Sequence, residues 1–398
     1  MKEKKPIRAK PPRAVEREIA RFYGDPEGKL SCVVTGEDIE YSIHHLDDNP
    51  ANSSSFYNLL PISSELNSNI EYSFSHDLAP ELKSDNLRLK SSEHYARGKY
   101  SHAYGCCVLG ASLAFPWEYG WSRNLRVDPD AVIEFSANAL LNLRPINEIA
   151  YASHVLSTYV VPIVRKHMLC VEMPNVARLA VEIGSYYRDA GNNVEGQIFV
   201  DIARNLLLRT GVSGRVRSLL TRMSVHEAIN RLIINDNIGA KESLISAETK
   251  VDSLYSMGDA NIKLYKAQLN LREDKPDFDM INEILGQVNT RNRVGISTTW
   301  TDAEILLTKA QAQFQRYQGK IEFQTQEYIT KALDKFTRCK ILPTRAFFPQ
   351  VLGSFSADSS ANEMIVRKMI RSITPEFNNI SERIKLWLID FVRRSRVL

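Results

Sequence analysis

Two histidines stand side by side at His44 and His45, between Ile43 and Leu46. Asp47, Asp48, Asn49, Pro50, Ala51 and Asn52 follow. Asn58 opens a second apolar stretch, Leu59-Leu60-Pro61-Ile62, and Asn67 lies nine residues beyond Asn58. Imidazole titrates near neutral pH, so it can take a proton from water under physiological conditions. Imidazole nitrogen and amide oxygen together can also ligate a divalent ion. Water activation beside a held cation is the chemistry of metal-assisted hydrolysis. A histidine pair alone reads more simply as one packed and one exposed ring. The pair with both asparagines at these spacings reads as a site. Asp47 and Asp48 read as turn or cap residues, with assistance to a metal as the alternative, and Asn49 to Asn52 as the loop that shapes the site.

These side chains must be brought together by local elements. Leu30 to Thr35 is a short apolar run, and Gly36-Glu37-Asp38 reads as a turn. Ile39 to Leu46 alternates in part, as a strand does, and ends on the histidines. A polar loop then leads to Asn58. Apolar residues at 59, 62, 66 and 70 have helical spacing, which predicts a helix over Leu59 to Ile70. The expected order is strand, turn, strand, loop, helix. A strand ending beside a helix lets side chains from both meet at one ion.

The segment resembles the HNH nuclease family, whose core is a ββα-metal motif. The family carries a His-His or Asp-His pair at a strand end, a middle Asn about a dozen residues later, and a His or Asn on the helix. Here 13 residues separate His45 from Asn58. The Asn-Pro-x-Asn turn and the Asn-Leu-x-Pro stretch before the helix also match. The resemblance covers about 40 residues of the 398. It implies a metal-dependent DNA endonuclease, with His45 as the general base. His44 and Asn67 would ligate the metal, and Asn58 would orient the base. The cofactor would be Mg²⁺ or Mn²⁺, with Zn²⁺ or Ni²⁺ as alternatives. Many family members also hold a structural zinc in two Cys-x-x-Cys knuckles. The corresponding positions here are Cys32, Thr35, Ser63 and Leu66, so no structural zinc is expected. Leu59, Leu60, Ile62, Leu66 and Ile70 would hold the helix by packing instead.

From about residue 98 helical patterns dominate, broken by Pro129, Pro145, Pro174, Gly211, Gly258, Pro276 and Gly319. Parts resemble tetratricopeptide repeats. Ala180, Ile183, Gly184, Tyr187, Gly191 and Ala203 match the small and large positions of one helix pair. Gly98, Tyr100, Ala103 and Pro116 fit another, and Ala260 to Leu271 and Ala310 to Phe336 fit more loosely. The alternative is a non-repetitive helical bundle. The fold expected is mainly α with a small α+β head. A basic arm and short helix would occupy 1–29, the HNH-like domain with its linker 30–97, and the helical-repeat domain 98–398.

Charge sharpens this division. Residues 1–21 hold eight basic and three acidic side chains, a net +5, and the remainder of a chain of net +4 is therefore at −1. A uniformly basic nucleic-acid coat is excluded. Lys2, Lys4, Lys5, Arg8, Lys10 and Arg13 are the candidate phosphate contacts, independent of base sequence. Arg393, Arg394 and Arg396 form a weaker cluster. Five cysteines, two of them adjacent at Cys106 and Cys107, suggest a reducing cytoplasmic setting rather than a disulfide framework. The uncharged stretches Tyr100–Trp117 and Ile149–Val164 read as buried helices rather than membrane spans. His76, His94, His102, His154, His167 and His226 fall off any ligand spacing.

Two functions follow. One is a DNA endonuclease whose helical domain binds a protein partner or regulates access, by analogy with bacterial antiviral defence systems that join a nuclease head to a helical body. The other is a helical-repeat scaffold with an inactive head.

Overall fold

In the computed structural model the described residues are 11–25, 27–38, 41–46, 55–72, 78–115, 128–211, 213–251, 256–291, 297–320, 322–338 and 373–394. The chain is mainly helical, with one two-stranded sheet among the described residues. Backbone contacts divide it into two compact units. One comprises residues 1–95, 99–143 and 148–172, and the other residues 96–98, 144–147 and 173–398. The first unit thus runs well past the domain boundary expected at residue 98.

In the first unit, α1 (Arg13–Tyr23) buries Val15, Ile19, Phe22 and Tyr23. Their spacing puts them on one helical face, and α1 packs against the second strand and the short turn before it. Phe22 stacks on Tyr151 with ring centroids 4.0 Å apart.

The strands are β1 (Tyr41–His45) and β2 (Leu59–Ser63), paired antiparallel with Ile43 opposite Pro61 and His45 opposite Leu59. α2 (Ser64–Tyr72) follows at once. This corrects two expectations. Leu59 to Ser63 is a strand and not the start of the helix, and Leu30 to Thr35 forms a loop and turn, not a strand. A short continuous apolar run is ambiguous by periodicity, because a fully buried strand and a buried helical turn look alike. Every residue of β2 is buried, so it shows no alternation. The helix begins where Ser63 caps it, its Oγ accepting from Leu66 N at 3.2 Å.

Hydrogen bonding fixes the phase of the hairpin. Leu46 N donates to Asn58 O at 2.8 Å, so 46:58, 44:60 and 42:62 are the hydrogen-bonded pairs. Pro61 therefore sits at a non-bonded position, where its missing N–H faces away from β1. Its carbonyl accepts there from Val33 N at 3.0 Å.

α3 (Ser84–Ala96), α4 (Tyr100–Ala114) and α5 (Pro129–Leu143) follow. α4 is buried along nearly all its length. At Gly105 a Cβ would stand 2.9 Å from Val33 Cβ, so only glycine allows this approach. α6 (Ile149–Val155) runs through a π-helical turn, Leu156–Val160, into α7 (Val161–Lys166). Pro162, which lacks an N–H, lies in the first turn of α7. The two uncharged stretches are thus buried helices as far as described, and no described helix is long and apolar enough to cross a membrane.

The second unit packs its helices largely in sequence-adjacent pairs. α8 (Met173–Asp189) lies on α9 (Asn193–Leu207), and α10 (Gly214–Ile233) on α11 (Asn237–Glu248). α12 (Ser256–Asn270) meets α13 (Phe278–Gly286), and α14 (Thr299–Arg316) meets α15 (Phe323–Arg338). The last described helix is α16 (Pro375–Arg394), which packs on α9. Gly184 and Gly196 let α8 and α9 approach closely. A Cβ on Gly184 would fall 2.9 Å from Gly196 O. Tyr187 stacks on Phe199 beside them, at 5.8 Å.

Candidate active site

β1 delivers His44 and His45 from adjacent positions, which on a regular strand point to opposite faces. Their burial follows that alternation. His44 is buried, 3% exposed, while His45 is half-buried. On the His44 side α2 presents Asn67, also 3% exposed. His44 Nδ1 lies 2.9 Å from Asn67 Oδ1, across 23 residues of sequence. An amide oxygen only accepts, so in the neutral ring Nδ1 donates.

The pair passes a simple test as part of a divalent-ion site. Two donors bound cis to one ion at about 2.1 Å stand about 3 Å apart, close to the spacing seen. An imidazole and a neutral amide suit an ion that keeps most of its water and substrate oxygens. Among the described residues no group of three His, Cys, Asp or Glu side chains is placed to hold a metal ion. Asp47, Asp48, Asn49, Pro50, Ala51 and Asn52 lie outside the described residues.

His45 ends β1 opposite Leu59, and Asn58 immediately precedes Leu59. Asn58 is buried, and its backbone takes part in closing the hairpin. Asn58 N donates to Ser55 O at 3.1 Å, which tightens the turn before β2. The structure thus brings His44 and Asn67 into contact and sets Asn58 beside the strand position that His45 faces.

Sequence reasoning missed Ser112. It lies on α4, is fully buried, and its hydroxyl donates to the Leu46 carbonyl, one residue after His45. No local sequence signal could have found it, because the contact joins residues 66 apart. Tyr57 was missed as well. Its ring stacks on His154 at 5.0 Å, next to Asn58.

At the positions matching the zinc knuckles, Cys32 Sγ accepts from Ser63 N at 3.4 Å, and Thr35 Oγ1 accepts from Glu37 N at 3.4 Å. His94 and His102 lie below the same turn. Ser31 Oγ is 2.8 Å from His102 Nε2. Burial, helped by His94 and Lys99, pushes the His102 ring down to about 3. Burial likewise pushes the Cys106 thiol up, aided by Cys107 and Cys32. Its sulfur meets the Val33 carbonyl at 3.2 Å, so this cysteine packs and holds its proton.

Of the basic arm, Arg13 is exposed at the start of α1. Lys2, Lys4, Lys5, Arg8 and Lys10 lie outside the described residues, as do His76 and Arg396.

The second unit holds a buried ionic cluster that the sequence did not announce. Arg144 Nε is 3.0 Å from Asp189, and Arg188 is 2.9 Å from Asp189. Glu182 pairs with Arg222 and, at 3.7 Å, with Arg144. Arg188 also meets His226 Nδ1. Burial and the neighbouring Arg188, Arg222 and Arg144 hold that ring far below its usual range.

Compared with protein-family models, curated proteins and solved structures, the chain matches none of them.

Proposed function

We propose that the chain is a metal-dependent endonuclease of the HNH type, hydrolysing phosphodiester bonds in DNA. The observation that carries this reading is the His44–Asn67 contact at 2.9 Å between β1 and α2. It joins two of the motif's residues within a strand–loop–strand–helix order. His44 Nδ1 and Asn67 Oδ1 would hold the divalent ion, with the ring proton moved from Nδ1 to Nε2 so that the imidazole stays neutral. Such an ion polarises the scissile phosphate and steadies the leaving oxygen. His45, half-buried at the strand end, takes the proton from the attacking water. Asn58 fixes the turn beside it. The arm steadies the phosphate backbone, and the paired helices of the second unit supply a tetratricopeptide-like surface for a protein partner or regulator.

The experiment is nicking of supercoiled plasmid with Mg²⁺ or Mn²⁺. His45→Ala should lower the rate by about 10²- to 10⁴-fold, the usual share of a general base. Cleavage that survives this change removes His45 from the mechanism. A second reading is favoured by the burial of the same contact. A His44–Asn67 bond enclosed on both sides also serves a non-catalytic head on a helical scaffold. Absence of cleavage of any DNA or RNA with either ion selects that reading.

A further inference from the structure

The geometry points to Ser112 as a positioning residue for His45, acting through the carbonyl of Leu46. The inference rests on the nuclease reading above and names a group outside the motif that reading uses.

Leu46 is clamped on both of its peptide planes. Its N–H, in the plane shared with His45, donates to Asn58 O at 2.8 Å. Its C=O, in the next plane, accepts from the Ser112 hydroxyl. The first bond fixes ψ of His45, and the second fixes ψ of Leu46 and the direction in which the chain leaves. Leu46 is 2% exposed and Ser112 0%, so water is a poor substitute for either partner. The helix that carries Ser112 is itself held. Cys106 Sγ donates to Val33 O at 3.2 Å, and Gly105 sits tight on Val33 and Leu60. Leu60 is the register partner of His44. α4 therefore grips β2 at Leu60, the turn at Val33 and the residue that follows β1, and Ser112 supplies the hydrogen bond to that last residue. Catalytic geometry tolerates little displacement, and a shift of about 1 Å can cost about 100-fold in rate.

The test uses the full chain with supercoiled plasmid and Mg²⁺ or Mn²⁺. Ser112→Ala should lower kcat about tenfold or more and leave KM unchanged, and Ser112→Thr, which keeps the hydroxyl, should restore most of it. Ser91→Ala is the control. It removes another buried hydroxyl that bonds α4, at Ala103 O, and should lower Tm with kcat retained. If Ser112→Ala does not fold, Ser112→Cys keeps the volume with a weaker donor and should show an intermediate kcat. Wild-type kcat in Ser112→Ala, or in Ser112→Cys if that replaces it, overturns the inference. An equal loss in Ser91→Ala does the same. Hydrogen exchange separates this outcome from failure of the nuclease reading. If the wild type cuts nothing, the clamp is judged on the Leu46 amide, which should exchange about tenfold faster in Ser112→Ala or Ser112→Cys. Unchanged exchange at Leu46 overturns the inference.

Discussion

In the first unit the buried polar side chains around the site are imidazoles, amides, thiols and hydroxyls: His44 meets Asn67, Ser31 meets His102, and Asn142 meets Ser91 at 3.1 Å. In the second unit the buried polar centre is ionic, built on Arg144, Glu182, Arg188, Asp189 and Arg222. Neutral partners carry no charge to desolvate, so each such contact rests on hydrogen-bond geometry alone. Buried ion pairs exact a large desolvation cost and leave a charge stranded if one member goes. They fit a body that must keep one helix arrangement.

The largest test of that contrast is Glu182→Gln. Its carboxylate is fully buried and faces Arg222 and Arg144. Removing the charge should cost about 3–5 kcal/mol in urea unfolding. A cost below about 1 kcal/mol would mean that the second unit does not depend on its ions.

Acid should then expose the first unit. His102 is held neutral with its pKa near 3, against about 6.5 in the unfolded chain. Between these values the unfolded state binds the proton and the folded state does not, so stability falls as pH falls. From pH 7 to pH 5 this group alone should remove about 2 kcal/mol. His226, in the second unit, is depressed in the same direction, so acid weakens that unit as well. His102→Asn should flatten the profile over that window, and an unchanged pH slope would show that the ring is not held neutral.

The smallest effect belongs to the surface. Arg13 is exposed on α1. If it contacts a phosphate, Arg13→Gln should reduce the log–log salt slope of duplex DNA binding by about 0.9. Deleting residues 1–14 should reduce it further. A slope unmoved by the deletion would take the arm out of the interface.

What the sequence made legible was local. The short helix after the arm, the buried runs that became α4 and α6–α7, and the placing of Asn67 on a helix could all be read from spacing and composition. The five apolar residues expected to hold that helix are all buried, although three of them lie on β2. The strand itself was misread because Leu59 to Ile62 lacks alternation and its partner lies 14 to 22 residues away across the loop. Ser112 and the Arg144–Glu182–Asp189 cluster were invisible for the same reason. Each joins residues that only the folded chain makes neighbours.

Pro61 has a consequence for crowded solutions. A two-stranded sheet has two open sides, and an open side can recruit a strand from another molecule. On the outer side of β2 the central position offers no N–H, and its carbonyl is taken by Val33. A foreign strand arriving there finds the middle rung of the ladder missing. Pro61 thus withholds the N–H that a third strand would need at the centre of that side.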